Sequence, residues 1–314
     1  MLLLYNGGHL DSNFYYHSGC DVDHCFLLVS GKAKTLFVPK MNESLAKTCF
    51  RGNVVVYEDA LKTLAPYLRR KTVLADFHSL NAGMAKKLSG YCRLKDHSLE
   101  LLKMRMVKRK DEVANIAKAA RYTHQIFDSL DFKKAQTELG LKKQILIATL
   151  DLGLEPAFEP IISTDKNTSY PHSVPTNKKL GSLVMVDYGV KYNHYCSDVT
   201  RCFIRDGDSR KHAEYEKLQY ICYSLIESLH EMESGRNVAN ACERLMVRAG
   251  FPKMIHSPGH GVGLDIHELP SLRLKSEDKL AGTVMAIEPA FYLKNYGMRY
   301  EETVYFDGKK SRIF

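Results

Sequence analysis

The sequence predicts an α+β chain in two parts, a small α/β domain over residues 1–104 and a larger α+β domain over residues 105–314. Three observations carry this. Short β-rich runs alternate with helical stretches through the first third, as in an α/β layer. A new helical periodicity opens near residue 105. Beyond it, two pairs of β-rich runs, each folded about a polar midpoint, stand among longer helices.

In the first part, runs rich in Val, Leu, Phe and Thr predict strands over 25–30, 35–39, 54–57 and 72–75, with helices over 60–68 and 81–88. The second part begins with Val113, Ile116, Ala117, Ala120, Ile126 and Phe127 at near-helical spacing, predicting a helix over 111–130. Further helices are expected over 137–152, 209–232 and 238–249, the last stopped by Gly250 and Pro252. No internal repeat or low-complexity segment is visible.

A chain of 314 residues with 45% hydrophobic and 26% charged residues has ample material for two cores, which excludes wholesale disorder and fibrous architectures. The start, M-L-L-L-Y-N-G-G, has no basic segment before its short apolar run, so no signal peptide is expected. No stretch approaches the roughly 20 apolar residues that cross a bilayer. The chain therefore reads as cytoplasmic, with no membrane partner. Its eight Cys residues are scattered without a C-x-x-C pair and read as reduced, mostly buried thiols. Net charge +9 is spread over both halves, and its densest run, Lys108-Arg109-Lys110, is short. That describes a solvated basic surface rather than a nucleic-acid site.

The chemistry is concentrated in the paired β-rich runs. In S-L-V-M-V-D-Y-G-V-K-Y-N-H-Y-C-S-D-V-T-R-C-F-I, a two-residue turn at Tyr192–Asn193 would set Asp187 directly opposite Asp198. Carboxylates opposed across a hairpin repel, so a divalent cation or a shared proton must compensate. A bent or longer turn would instead point both into water. The arrangement recurs in T-V-M-A-I-E-P-A-F-Y-L-K-N-Y-G-M-R-Y-E-E-T-V-Y-F, where a turn at Lys294–Asn295 sets Glu288 opposite Glu301 and sends Glu302 to the other face. An acidic residue in each of two apolar strands is costly to bury alone. Its recurrence favours metal binding. Between the hairpins lies H-S-P-G-H-G-V-G-L-D-I-H-E-L-P, with His256, His260 and His267 among glycines that allow close backbone approach. Each His taken singly is better explained by a structural role than by a catalytic one. With four carboxylates nearby, an imidazole supplies the nitrogen that suits a transition metal.

V-D-Y-G, S-D-V-T-R, G-H-G-V-G-L-D-I-H-E, A-I-E-P and M-R-Y-E-E-T-V, in this order, resemble the pita-bread metallopeptidases that include prolidase (Xaa-Pro dipeptidase) and aminopeptidase P. The first part, with N-F-Y-Y-H-S-G near its start, resembles the smaller creatinase-type domain that precedes the catalytic one in proline-specific members. The resemblance implies a pita-bread catalytic domain and two divalent metal ions. Asp187 would chelate one metal, His260 and Glu288 the other, and Asp198 and Glu301 would bridge them. It further implies catalytic or substrate-binding roles for His267, for His172 in S-Y-P-H-S, and for Glu288 as proton carrier, with Arg299 supporting the site.

Three positions depart from the family pattern around the ligands: Ala290 for the usual Gly, and Tyr300 and Glu302 for the common Ile and Asp. In H-E-L-P-S-L-R, Ser271 stands where many microbial prolidases carry an Arg, with Arg273 two residues further on. The resemblance thus implies hydrolysis of small proline-containing peptides as an Xaa-Pro dipeptidase with relaxed length control, or as aminopeptidase P on longer peptides. A homodimer and Mn, Co, Fe or Zn as the metal are further expectations of the same kind. Inactive binding modules and metal-free creatinase-like hydrolases share the fold, but such relatives lose the ligands that this chain retains.

Overall fold

The computed structural model describes all 314 residues. The chain divides into two compact units, Met1–Arg105 and Met106–Phe314.

In the first unit one mixed sheet holds six strands in the spatial order Asn53–Tyr57, Ala33–Pro39, Cys25–Ser30, Leu2–Asn6, Thr72–Ala75, Arg93–Asp96. Alternate residues of the central strand enter different cores. Leu2 and Leu4 pack with Phe14, Leu27 and Leu36, while Leu3 packs with Phe26, Phe37 and Leu64. Both faces are therefore buried, which is why these strands read as nearly continuous apolar runs. The apolar run at the start of the chain is this central strand. Cys20 and Cys49 are joined as a disulfide, their Cα atoms 5.5 Å apart, contrary to the all-reduced reading. They lie 29 residues apart, and folding alone brings them together, so no local motif marks them. The other six Cys residues are free and buried.

The second unit has four antiparallel sheets and the long helices Lys110–Asp128, Glu138–Asp151, Ser209–Glu227 and Gly235–Arg248. Thr137 caps the second helix, its side chain accepting from the Gly140 amide. Strand Leu183–Tyr188 again serves two cores. Leu183 and Met185 pack with Leu218, Cys222, Met285 and Ile287, whereas Val184, Val186 and Tyr188 pack with Ile126, Leu141 and Ile145. Asp187 continues the row of Leu183 and Met185, so alternation along the strand delivers its carboxylate to a buried face. No helix is long and apolar enough to cross a membrane.

Candidate metal centre

The site forms where two antiparallel hairpins lose their regularity. In the first, Leu183–Tyr188 pairs with Val199–Ile204, and Asp187 faces Thr200. The turn is Asn193–His194, bounded by Tyr192 opposite Tyr195. Both turn residues have positive φ, 49° and 68°, which matches a two-residue turn to the strand twist. The turn thus lies one residue later than expected. Asp198 is displaced two positions toward it from the partner of Asp187, and an even step keeps the two on one face. Close packing fixes this offset, since a Cβ on Gly189 would come within 1.7 Å of the Ser197 carbonyl oxygen.

In the second hairpin the predicted turn and register are found. Ala290 faces Arg299 on the turn side, and Ile287 faces Glu302 beyond the break. One register runs through both ladders, leaving Glu288 and Glu301 opposed in the gap. Glu302 points elsewhere and accepts from Arg201 Nη2 at 2.7 Å and Tyr300 Oη at 2.6 Å.

His260 sits on the short strand Gly259–Gly261, between Ser271 and Ala286 of its neighbours. A Cβ on Gly261 would meet the Leu269 carbonyl oxygen at 2.2 Å, so this sequence must be glycine-rich. His260 Nδ1 lies 3.1 Å from the Gly261 carbonyl, which can only accept. That fixes the proton on Nδ1 and leaves the Nε2 lone pair available as a ligand. Nε2 is 3.4 Å from Asp198 Oδ2 and 3.9 Å from Glu288 Oε1. The donor atoms of Asp198, His260 and Glu301 all lie within 4.8 Å of one another.

Burial, reinforced by the charge of neighbouring carboxylates, pushes Asp198 and Glu301 well above the ordinary carboxylate range. Burial also raises Glu288, although the His260 and Arg299 charges oppose the rise. Asp187 Oδ1 and Asp198 Oδ1 are buried without a hydrogen-bond partner. Carboxylates crowded in this way, with unsatisfied oxygens and an imidazole lone pair beside them, fit divalent cations.

Arg299, expected to support the site, is buried and makes four hydrogen bonds. Its Nη2 donates to Asp187 Oδ2 at 2.5 Å, Nε to Thr200 Oγ1 at 3.0 Å and Nη1 to Tyr292 Oη at 2.8 Å, with the Pro171 carbonyl at 3.5 Å. Thr200 passes the connection on, its hydroxyl donating to Glu301 Oε2 at 2.6 Å. Tyr292 donates to His256 Nε2 at 3.0 Å, because His256 Nδ1 must donate to the Ser257 carbonyl. Burial holds the His256 pKa down to about 4, so the ring is neutral. Sequence reading missed Thr200 and Tyr292 as members of the site. Neither carries a charge; Tyr292 meets Arg299 within its own hairpin, and Thr200 meets it only because the two hairpins pack together.

His267 is exposed, with its ring centroid 4.3 Å from that of His260. Desolvation of its packed side, with the neighbouring His260 and His172, lowers its pKa to about 4. The next residue, Glu268, forms a buried ion pair with Lys108 at 3.0 Å. His172 is exposed in a loop whose two ends are held by Glu138. Oε1 of that fully buried carboxylate accepts from the Thr164 amide and Asn167 Nδ2, and Oε2 from the Thr176 amide and hydroxyl, all at 2.7–2.9 Å. Nothing in the spacing of the sequence marks Glu138 for this task.

Two profile matches span the chain, that of the creatinase/prolidase N-terminal domain over residues 2–107 and that of metallopeptidase family M24 over residues 114–307. The chain belongs to metallopeptidase family M24. Among M24-related proteins, an uncharacterized peptidase of Methanocaldococcus jannaschii is 35% identical over 241 residues, covering 70% of this chain and 68% of its own. The Xaa-Pro dipeptidase of Pyrococcus furiosus is 28% identical over 306 residues, covering 93% of this chain and 87% of its own. The crystal structure of the prolidase from Pyrococcus horikoshii superposes with a TM-score of 0.89 at 26% identity, covering 99% of this chain and 92% of that one. The fold of this M24 protein is thus a creatinase-type N-terminal domain followed by a pita-bread domain, and the protein is a metal-dependent peptidase.

Proposed function

We propose that this protein is an Xaa-Pro dipeptidase with relaxed length control, cleaving the bond between an N-terminal residue and proline. The observation that carries the reading is the buried cluster of Asp187, Asp198, His260, Glu288 and Glu301, with its unbonded oxygens, in an M24 chain. A named Xaa-Pro dipeptidase aligns with 93% of the chain, which supports the choice of substrate. Asp187 would hold one divalent cation, His260 and Glu288 the other, with Asp198 and Glu301 between them. When bound, the cations supply Lewis-acid polarisation of the scissile carbonyl and acidify a water. Mn, Co, Fe and Zn all suit mixed carboxylate and imidazole donors.

The remaining chemistry belongs to side chains. Glu288 takes the attacking water's proton at its carboxylate and returns it to the departing nitrogen as the peptide bond breaks. His267 is neutral at physiological pH and donates a hydrogen bond to the developing oxyanion. His172, on its pinned loop, orients the peptide backbone. Arg299 keeps the Asp187 carboxylate aimed. A cytoplasmic homodimer completes the reading. The test is hydrolysis of Xaa-Pro dipeptides, Xaa-Pro tripeptides and Met-Ala peptides with each metal added back, together with sedimentation for the oligomeric state. Cleavage confined to Xaa-Pro bonds supports the proposal. Failure to cleave any Xaa-Pro bond with any of these metals overturns it.

A further inference from the structure

Lys108 belongs to the densest basic run of the sequence, which reads as a solvated surface, yet the structure places it inside. Its amide donates to the Gly282 carbonyl at 2.8 Å and its Nζ to the Met106 carbonyl at 3.3 Å. The same Nζ donates to Glu268 Oε2 at 3.0 Å, and both side chains are 1% exposed. Taking two charges out of water is expensive, and apolar residues of similar volume often replace such a pair without loss of stability. Stability alone is thus a weak reason to keep it.

The pair fixes a short loop. Glu268 Oε1 accepts from the Asp265 amide at 3.0 Å, and the Asp265 carbonyl accepts from the Gly263 amide at 3.1 Å. A Cβ on Gly263 would come within 2.3 Å of Glu268 Oε2, so the carboxylate fills the inside of the turn. Glu268 also pairs with Gly261, the neighbour of His260. The residue before it, His267, is exposed, its ring packed on that of His260 at 4.3 Å between centroids. The direction of the His267 ring otherwise follows from the backbone at 267 and 268.

We infer that Lys108 is a positioning residue for His267. By holding the Glu268 carboxylate inside the turn, the ammonium fixes the backbone from which His267 projects, and so the place of its imidazole beside a bound peptide. Lys108 acts only through Glu268. A charge-assisted hydrogen bond suits this task better than apolar packing, because it is strong and has direction. The inference rests on the proposed role of His267 as donor to the oxyanion, and it adds the group that aims that donor.

A double-mutant cycle tests the coupling. With an Xaa-Pro dipeptide, Lys108→Met is expected to lower kcat by roughly tenfold or more, since misplacing a catalytic group by about 1 Å can cost about 10²-fold. KM and metal content should stay unchanged. In a His267→Ala background the same substitution is expected to change kcat by less than about twofold. Lys108→Met/Glu268→Gln removes both charges of the pair, should melt like wild type, and carries the same expected loss of kcat where Lys108→Met alone fails to fold. A wild-type kcat in the paired variant overturns the inference, as does a loss that persists in full without His267. NMR of the zinc-loaded protein, labelled at histidine, needs no turnover. There the ring-to-ring NOE between His260 and His267 should weaken in the paired variant, and an undiminished NOE overturns the inference. If the NOE weakens but wild type cleaves no Xaa-Pro bond, the positioning stands and the assigned reaction fails.

Discussion

The two carboxylate hairpins look alike in sequence but solve different problems. At Glu288 and Glu301, both strands break at the same level and one register continues on either side, so the pair meets across a gap. At Asp187 and Asp198, the ladder keeps Asp187 inside a regular strand and displaces Asp198 toward the turn. The consequence is electrostatic. Asp187 is paired with Arg299, whereas Asp198 is buried among like charges, and each keeps one unbonded oxygen. Similar hairpins therefore hold one carboxylate that a guanidinium already partly compensates and others that have no such partner.

The largest effect expected from breaking this arrangement is at the shared positions. Asp198→Asn or Glu301→Gln should abolish turnover and leave less than the full metal content, with the fold intact by circular dichroism. Wild-type rates in either variant would sink the two-metal assignment.

Metal-free protein sharpens the contrast within the first hairpin. Asp187→Asn strands the buried Arg299 guanidinium and should cost about 3–5 kcal/mol in denaturant unfolding. Asp198→Asn removes a charge buried among Asp187, Glu288 and Glu301 and should stabilise the same metal-free protein. Equal destabilisation by both substitutions would show that the two aspartates are not differently compensated.

A smaller effect is expected outside the hairpins. His267→Ala should lower kcat by roughly 10²-fold, as for a lost oxyanion donor, while metal stoichiometry stays constant. A variant that purifies short of metal would mean that His267, and not His260, is the ligand.

The smallest effect tests the turns themselves. Asn193→Ala, at a φ of 49°, should cost about 1 kcal/mol, because a Cβ without a local polar partner disfavours that region. Lys294→Ala, in a turn without positive φ, should cost almost nothing in the same thermal melts.

What could be read from the sequence follows the range of the interactions involved. The helix expected over 60–68 is found as Ala60–Leu68, and the strands expected over 25–30 and 72–75 as Cys25–Ser30 and Thr72–Ala75, because local periodicity and flanking breakers specify them. The second hairpin was legible to its register, since Leu293 and Tyr296 bracket an unmistakably polar pair. The first was misread by one residue. Tyr192 looks polar enough for a turn, but it pairs with Tyr195, and the left-handed geometry falls on Asn193 and His194. The strand Leu2–Asn6 was not foreseen, because an apolar run buried on both faces shows no alternation. Least legible were the connections made by Thr200, Tyr292 and Glu138, whose partners lie 26 to 101 residues away or on another strand.

Arg299 reaches Asp187 and Thr200 on the two strands of the first hairpin, Tyr292 on the second, and the carbonyl just before His172. A strand that swings outward must first release this guanidinium, and doing so exposes a buried cation to its neighbours as well. Loosening is thereby shared. Backbone amides on both hairpins would exchange with solvent deuterium through one common opening rather than through separate fraying events. The gripping surface for the peptide would lose its shape all at once, or not at all.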